Sequence, residues 1–133
     1  MPRLVFISHA SADRWVAGQI AKEVAATGAE HFLDSHDIET GDDFDDVIRD
    51  ALLDCDELLV LFTPAALERP YVWVEIGVAW SQRKRIVGIL HGMTTSDLAG
   101  HDGAPAFLKG IHLRDINDLD EYLGELKGRS GDG

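Results

Sequence analysis

The chain has 133 residues, a length that suits a single domain with a substantial hydrophobic core. Its 24 acidic and 12 basic residues give a net charge of −12, which argues against nucleic acid and anionic membranes as partners. The sequence contains no apolar stretch of the length that a membrane-spanning helix needs.

Cysteine and histidine usage bears on location and on metal binding. Cys55 is the only cysteine, so no internal disulfide can form, and a cytoplasmic location is expected. The six histidines are scattered without the spacing of metal ligands. The sequence therefore predicts neither a disulfide framework nor a metal site.

The first half of the chain contains two predicted strands, each followed by a helix. The apolar run Leu4–Ser8 predicts a buried strand, and Ser11 or Asp13 can cap the helix after it. That helix should end near Gly28, and residues 31–35 have the alternating character of an edge strand. A polar loop then leads into the most clearly amphipathic helix of the chain. Its apolar stripe consists of Phe44, Val47, Ile48, Ala51 and Leu52.

The second half of the chain adds three predicted strands. Glu57–Phe62 and Arg85–Leu90 are continuous apolar runs typical of strands buried on both faces. Residues 92–110 are predicted to be irregular, with one short helix around residues 106–109. Residues 111–116 are predicted to form a last short strand.

A final amphipathic helix closes the predicted domain. Its apolar residues are Leu119, Tyr122, Leu123 and Leu126. The segment GRSGDG at residues 128–133 is typical of a flexible tail or the start of a linker. We therefore expect one domain over residues 1–127.

The alternation of strand and helix predicts a parallel sheet with helices on both faces. In the flavodoxin-like version, a three-layer α/β fold, the five strands have the order 2-1-3-4-5. Ligands of such folds bind outside the carboxyl ends of the strands, where the strand order reverses. The loops after the first and third strands, residues 8–13 and 63–71, would border this crevice. Glu75 should overlook it from the start of the following helix.

Residues 70–80, PYVWVEIGVAW, carry one charge, Glu75, among apolar neighbours. The apolar positions lie almost all round a helix, which predicts that most of its sides are covered, Trp80 included. A carboxylate in dry surroundings is costly unless it binds a proton or accepts hydrogen bonds. Glu75 is therefore a candidate functional residue, and the alternative is a solvated acid in a first helical turn.

Three segments resemble parts of the bacterial TIR (Toll/interleukin-1 receptor) domain family, in the family's order. VFISHASAD resembles the first strand and its Ser-rich turn, and DSHDIETGDDFDDVIRDALLDCD resembles the BB loop and the helix after it. LVLFTPAALERPYVWVEIGVAW resembles the third strand and the helix that carries the family's catalytic glutamate. The resemblance extends over about the whole chain and places Glu75 at the catalytic position.

The resemblance implies an activity. Many bacterial TIR domains cleave NAD+ at the nicotinamide–ribose bond, and some form cyclic ADP-ribose signals in anti-phage defence. NAD+ would then be the substrate, and no further cofactor is expected. The turn after the first strand offers hydroxyls and backbone amides to ribose or phosphate, with helix capping as the alternative role. The candidate substrate-binding residues are Ser8, His9, Ala10, Ser11, Asp34 and Tyr71.

Two aromatic residues near Glu75 have different predicted roles. The family often has Trp four residues before the glutamate, a place that Tyr71 occupies here. Tyr71 is expected to contact the ligand, with only a modest loss of stability when it is truncated. Trp73 points about 200° away from Glu75 on an ideal helix and is expected in the core.

The loop at residues 36–46 is the predicted self-association element. In the TIR family this loop docks on a neighbouring copy, and the resemblance assigns that role to Ile38 and Gly41. The loop contains six acids, which would repel both a dinucleotide and other copies of a chain of net charge −12. Added salt is therefore expected to favour assembly.

Two other function classes need residues that this chain lacks. A phosphoacceptor receiver needs Asp where Thr63 stands, and a dinucleotide-binding Rossmann domain needs GxGxxG after the first strand. Neither fits. Two alternatives stay open: a TIR adaptor that only self-associates, and an enzyme resembling nucleoside deoxyribosyltransferases.

Overall fold

A computed structural model describes residues 2–33, 46–102, 104 and 111–131. The strands are β1 (Leu4–Ser8), β2 (Glu30–Leu33), β3 (Glu57–Phe62), β4 (Arg85–Leu90) and β5 (His112–Asp115). The helices are α1 (Arg14–Ala26), α2 (Asp46–Asp54), α3 (Pro64–Leu67), α4 (Pro70–Ser81), α5 (Thr95–Ala99) and α6 (Leu119–Gly131). Short 3-10 turns, Ser11–Asp13 and Ile116–Asp118, precede α1 and α6.

The five strands form one parallel sheet in the order β2-β1-β3-β4-β5, which confirms the predicted flavodoxin-like topology. β3 is the central strand, and all six of its residues are buried. Ser8 ends β1 and is in register with Val60 of β3, so the two strands end close together. The strand order reverses between these two strands, which places the predicted crevice at their carboxyl ends.

Two core layers cover the sheet, because alternate strand residues point to opposite faces. One layer packs strand residues such as Phe6 and Val60 against α2 and α4. The other packs residues such as Ile7 and Leu61 against α1 and α6. Helices on both faces therefore complete the three layers. No helix in the described ranges is long and apolar enough to cross a membrane.

Three local predictions are corrected. The segment after β3 forms α3 before α4 begins, so Glu75 lies in the middle of α4 rather than at its start. Trp80 is 55% exposed, so α4 is less completely covered than its apolar sequence predicted. Residues 95–99 form α5, which a capping box at Thr94 begins and which the sequence analysis missed. The short helix predicted at residues 106–109 lies outside the described residues.

A buried ionic cluster lies at the opposite end of the sheet from the crevice. Glu57, the first residue of β3, is fully buried and accepts a hydrogen bond of 2.7 Å from Tyr122 Oη. Arg3 and Arg129 form salt bridges to the same carboxylate. Burial, followed by the charge of Glu57, raises the pKa of Tyr122, so its hydroxyl remains a proton donor. The cluster joins both ends of the described chain to the central strand.

This cluster also corrects the predicted domain boundary. Helix α6 continues to Gly131, and Arg129 contacts Glu57, so a boundary at residue 127 would cut a packed helix. The flexible tail predicted to begin at residue 128 is therefore wrong for residues 128–131. Residues 132–133 lie outside the described part of the chain.

Cys55, the only cysteine, is almost fully buried between α2 and β3. Its thiol donates to the carbonyl of Leu52 at 3.1 Å. Burial raises the pKa of the Cys55 thiol to about 11, so the thiol is protonated and unreactive at neutral pH.

We predict that Arg129→Ala destabilises the domain by about 1.5–3 kcal/mol, the value of a hydrogen bond to a charged group. The Arg129 side chain is 22% exposed, and its loss leaves the fully buried Glu57 with one arginine fewer. The free energy of unfolding in urea measures the effect. Lys127→Ala, an exposed change on the same helix, is the control. Equal unfolding midpoints for the two variants would show that residues beyond 127 add nothing to the fold.

Candidate functional site

A hydrogen bond between Ser8 and Glu75 lies at the centre of the crevice. Ser8 ends β1, and Glu75 projects from the middle of α4. Both residues are fully buried, and Ser8 Oγ donates to Glu75 Oε1 at 2.6 Å. The carboxylate of Glu75 therefore lies at the carboxyl ends of the strands, beside the point where the strand order reverses, as predicted.

Tyr71 makes a second contact between α4 and the end of β1. It lies one helical turn before Glu75 and donates from Oη to the carbonyl of His9 at 2.9 Å. Side chains one turn apart on α4 thus bind two consecutive residues, Ser8 and His9. Tyr71 is only 5% exposed, so we expect its truncation to cost more stability than the sequence suggested. Its ring supports the turn after β1 from within the core.

The turn after β1 is largely hidden from solvent. Ser8, His9 and Ala10 are all buried, whereas Ser11 is partly exposed and begins a 3-10 turn. Asp13 precedes α1 at the predicted cap position, but its side chain makes no capping hydrogen bond. Of the four turn residues predicted to bind substrate, Ser11 is therefore the one that is not buried.

Thr63 bridges the two loops that border the crevice. Its hydroxyl donates to the carboxylate of Asp13 and accepts from the backbone N–H of Ala66 at 3.1 Å. The second bond caps α3. Thr63 followed by Pro64 is a sequence pattern that indicates the start of a helix. The second partner of Thr63, Asp13, is 50 residues away in sequence. Sequence reasoning therefore missed this connection.

Trp73 packs against the core layer of α2 and α4. Its indole is partly exposed, and Nε1 donates to the carbonyl of Leu67 at 3.0 Å. The ring stacks on His101 with centroids 5.8 Å apart and also contacts Phe62 at 6.3 Å. Tyr71 is thus more deeply buried than Trp73, which packs against the core but stays partly exposed.

The structure brings Ser8, His9, Glu75 and Tyr71 into direct contact, with Ala10 and Ser11 in the adjoining turn. The other three candidates, Asp34, Ile38 and Gly41, lie outside the described residues. Within the described ranges, no group of three or more His, Cys, Asp or Glu side chains is placed to hold a metal ion.

Comparison of the sequence with protein families identifies a match. The model of a family described as TIR domain matches residues 5–126. A curated relative from Brachypodium distachyon, named "Probable 2' cyclic ADP-D-ribose synthase BdTIR", is 30% identical over 96 residues. The match covers 71% of this chain and 43% of that protein, so the chain spans less than half of the relative's length.

Two solved structures are similar in fold. The TIR domain of the Toll-related receptor TRR-2 from Hydra magnipapillata has a TM-score of 0.67 at 21% identity, over 92% of this chain and 97% of that one. The TIR domains of the activated Roq1 resistosome have a TM-score of 0.63 at 12% identity, over 97% of this chain and 84% of that one. At these identities the similarity shows the fold alone.

We predict that Tyr71→Ala lowers the free energy of unfolding by on the order of 3–5 kcal/mol, as for other buried aromatic truncations. Trp73→Ala should cost less, because part of the indole already faces solvent. Tyr71→Phe isolates the hydrogen bond to His9 and should cost about 1–3 kcal/mol.

Urea unfolding of the three variants measures these differences. Trp80→Ala is a control for loss of an indole from the exposed side of α4. A larger loss for Trp73→Ala than for Tyr71→Ala would contradict the arrangement described for α4.

Proposed function

The chain belongs to the TIR domain family, and from this membership we propose that it is an NAD+ nucleosidase that cleaves the nicotinamide–ribose bond. One observation carries the proposal: Glu75 is a fully buried carboxylate, hydrogen-bonded to Ser8 at the edge where such sheets bind ligands. The relative named as a cyclic ADP-ribose synthase supports it. We place the activity in immune signalling or bacterial anti-phage defence, within the cytoplasm.

The bond that breaks suits a site with one carboxylate. When the C–N bond breaks, its electron pair goes to the pyridinium nitrogen, so nicotinamide leaves as a neutral molecule and needs no general acid. Positive charge develops on the ribose, as in the oxocarbenium-like transition state of glycoside hydrolysis. The carboxylate of Glu75 stabilises that charge electrostatically. The hydrogen bond from Ser8 fixes the orientation of the carboxylate beforehand.

The second half of the reaction decides the product. Water that attacks the anomeric carbon and loses a proton gives ADP-ribose. A hydroxyl or ring nitrogen of the same molecule that attacks there gives a cyclic isomer. The proposal includes both products, and Glu75 is the base nearest to the bond that forms.

The remaining candidates have supporting roles in this proposal. Ser11 and the backbone amides of the turn bind the ribose or phosphates at the start of α1. Asp34 binds a ribose hydroxyl. Tyr71 orients the turn through its hydrogen bond to His9.

The burial of Glu75 makes access a separate step. A fully buried carboxylate cannot contact a ligand, so a covering group has to move before the reaction. We propose that self-association through the loop of Ile38 and Gly41 supplies this change. The activated Roq1 resistosome, whose TIR domains share this fold, is an assembly that supports the idea.

We predict that Glu75→Gln, which keeps the size and removes the charge, lowers nicotinamide release from NAD+ by about a hundredfold or more. Glu23→Gln, an exposed change of the same kind on α1, should leave the rate unchanged. Chromatography of free nicotinamide and of ADP-ribose isomers gives both the rate and the product. A folded Glu75→Gln protein with a near wild-type rate would refute the assignment.

The same assay separates the alternatives. Release of free base from nucleosides but not from NAD+ would favour the enzyme resembling nucleoside deoxyribosyltransferases. Self-association without nicotinamide release at any protein concentration would favour the TIR adaptor.

We predict that specific activity rises with protein concentration. Ile38→Asp should abolish this rise, because a charge replaces an apolar contact in the proposed interface. Ala25→Asp, which adds the same charge on the exposed side of α1, should not.

Raising the salt from about 0.01 M to 0.1 M should enhance the rise, because screening reduces repulsion between chains of charge −12. Nicotinamide release over a wide concentration range, with light scattering for size, measures both effects. Flat specific activity in wild type, matched by Ile38→Asp, would show that each chain acts alone.

A further inference from the structure

A cleft of about 290 Å³ lies between β4, the edge strand β5 and helix α6. We propose that it is a second binding site, for a small anion that carries a carboxylate or phosphate group. The residues that line it are Arg85, Val87, His112, Leu113, Arg114, Tyr122 and Glu125. The proposal is independent of the NAD+ reaction.

The sheet register explains why basic side chains meet in this cleft. Val87 packs in the core layer of α1 and α6, and Arg85, two residues earlier, points to the same face of the sheet. His112 is in register with Val87, and Arg114 is in register with Ile89. All four residues therefore point to the α6 side of the sheet, where the outer strand leaves space beside the helix.

The cleft is separate from the Glu75 crevice. Arg85 and His112 are the first residues of β4 and β5, whereas Ser8 is the last residue of β1. In a parallel sheet the first and last residues of the strands lie at opposite ends of the strands, about one strand length or roughly 17–20 Å apart. A ligand in the cleft would not contact the proposed catalytic residues.

The local charge differs from that of the chain as a whole. Three arginines and three glutamates line the cleft or contact its lining, whereas the whole chain has 24 acids and 12 bases. These six residues are Arg85, Arg114, Arg129, Glu57, Glu121 and Glu125. His112 adds a further nitrogen donor or acceptor. The surroundings of the cleft are thus close to neutral and repel an anion less than the rest of this strongly acidic protein does.

Arg85 is the side chain available to bind the anionic group. It is exposed and forms no salt bridge with any residue in the described ranges. Arg114, by contrast, is paired with Glu121 and Glu125, although its side chain is still 34% exposed. A guanidinium binds a carboxylate or phosphate with two parallel N–H donors, so Arg85 can hold either group.

The buried part of the lining offers little surface to a ligand. Val87 and Tyr122 are almost fully buried, and the Tyr122 hydroxyl is engaged with Glu57. A ligand would therefore bind mainly through the polar groups of Arg85, His112 and Arg114. The volume is close to the lower limit of about 300 Å³ for ligand pockets, which favours a ligand no larger than one ring.

Titration of the full chain with benzoate and with phenyl phosphate tests the proposal. Backbone amide shifts of Val87, His112 and Tyr122, followed by NMR at low salt, report on the cleft. Both anions should cause saturable shifts there, and the tighter one identifies the preferred anionic group. Benzyl alcohol, which has the ring but no anionic group, should bind at least about tenfold more weakly than either anion.

Arg85→Gln should weaken binding of the preferred anion by about tenfold or more, and Arg85→Lys should lie between it and wild type. Arg49→Gln, an exposed arginine on α2, is the matched control and should bind as wild type does. Shifts confined to the crevice near Ser8, no saturable shift at the cleft, or equal affinities of wild type and Arg85→Gln would each overturn the proposal. These outcomes do not depend on NAD+ cleavage.

Discussion

The hydrogen bond between Ser8 and the Glu75 carboxylate is the constraint on which the crevice depends. A charged group without access to water is costly unless its surroundings supply hydrogen bonds. Here the last residue of β1 supplies one, and Tyr71 binds the next carbonyl from the preceding turn of the same helix. The hydrogen bonds that Glu75 and Tyr71 of α4 make therefore fix the position of the end of β1 and of the turn that follows it.

Two buried glutamates show that burial alone does not mark a functional residue. Glu57 is as fully buried as Glu75, but arginines from both ends of the described chain and a tyrosine hydroxyl surround it. Such a cluster anchors the ends of the chain to the central strand. Glu75 lies instead at the edge of the sheet where ligands bind in this topology, with a serine hydroxyl as a partner. Position in the sheet distinguishes the two carboxylates.

The same arrangement gives the proposed reaction a means of control. A carboxylate that a single chain covers completely is protected from solvent and from substrate until the crevice opens. Coupling that opening to assembly would make the signal depend on the number of copies brought together. The anion cleft lies at the amino-terminal ends of β4 and β5, so a ligand there could bind without competing with the dinucleotide.

The sequence by itself determined the five strands in their order along the chain and placed Glu75 on the helix beside the predicted crevice, although it did not show α3 or α5. Continuous apolar strands and one carboxylate in an apolar helix are local patterns, and the bounds of β1, β3 and β4 were predicted without error. The topology followed because alternating strands and helices permit few arrangements.

Tertiary structure alone decided which side chains meet. From the sequence, Glu57 was predicted only to begin a strand. Its role in the buried cluster was not predictable, because its partners Arg3, Tyr122 and Arg129 come from distant parts of the chain. Thr63 and Asp13 are likewise far apart in sequence, and the tail residue Arg129 became part of the domain. Tyr71 is more deeply buried than predicted, and Trp73 less, because helical periodicity does not specify how α4 is oriented relative to the sheet.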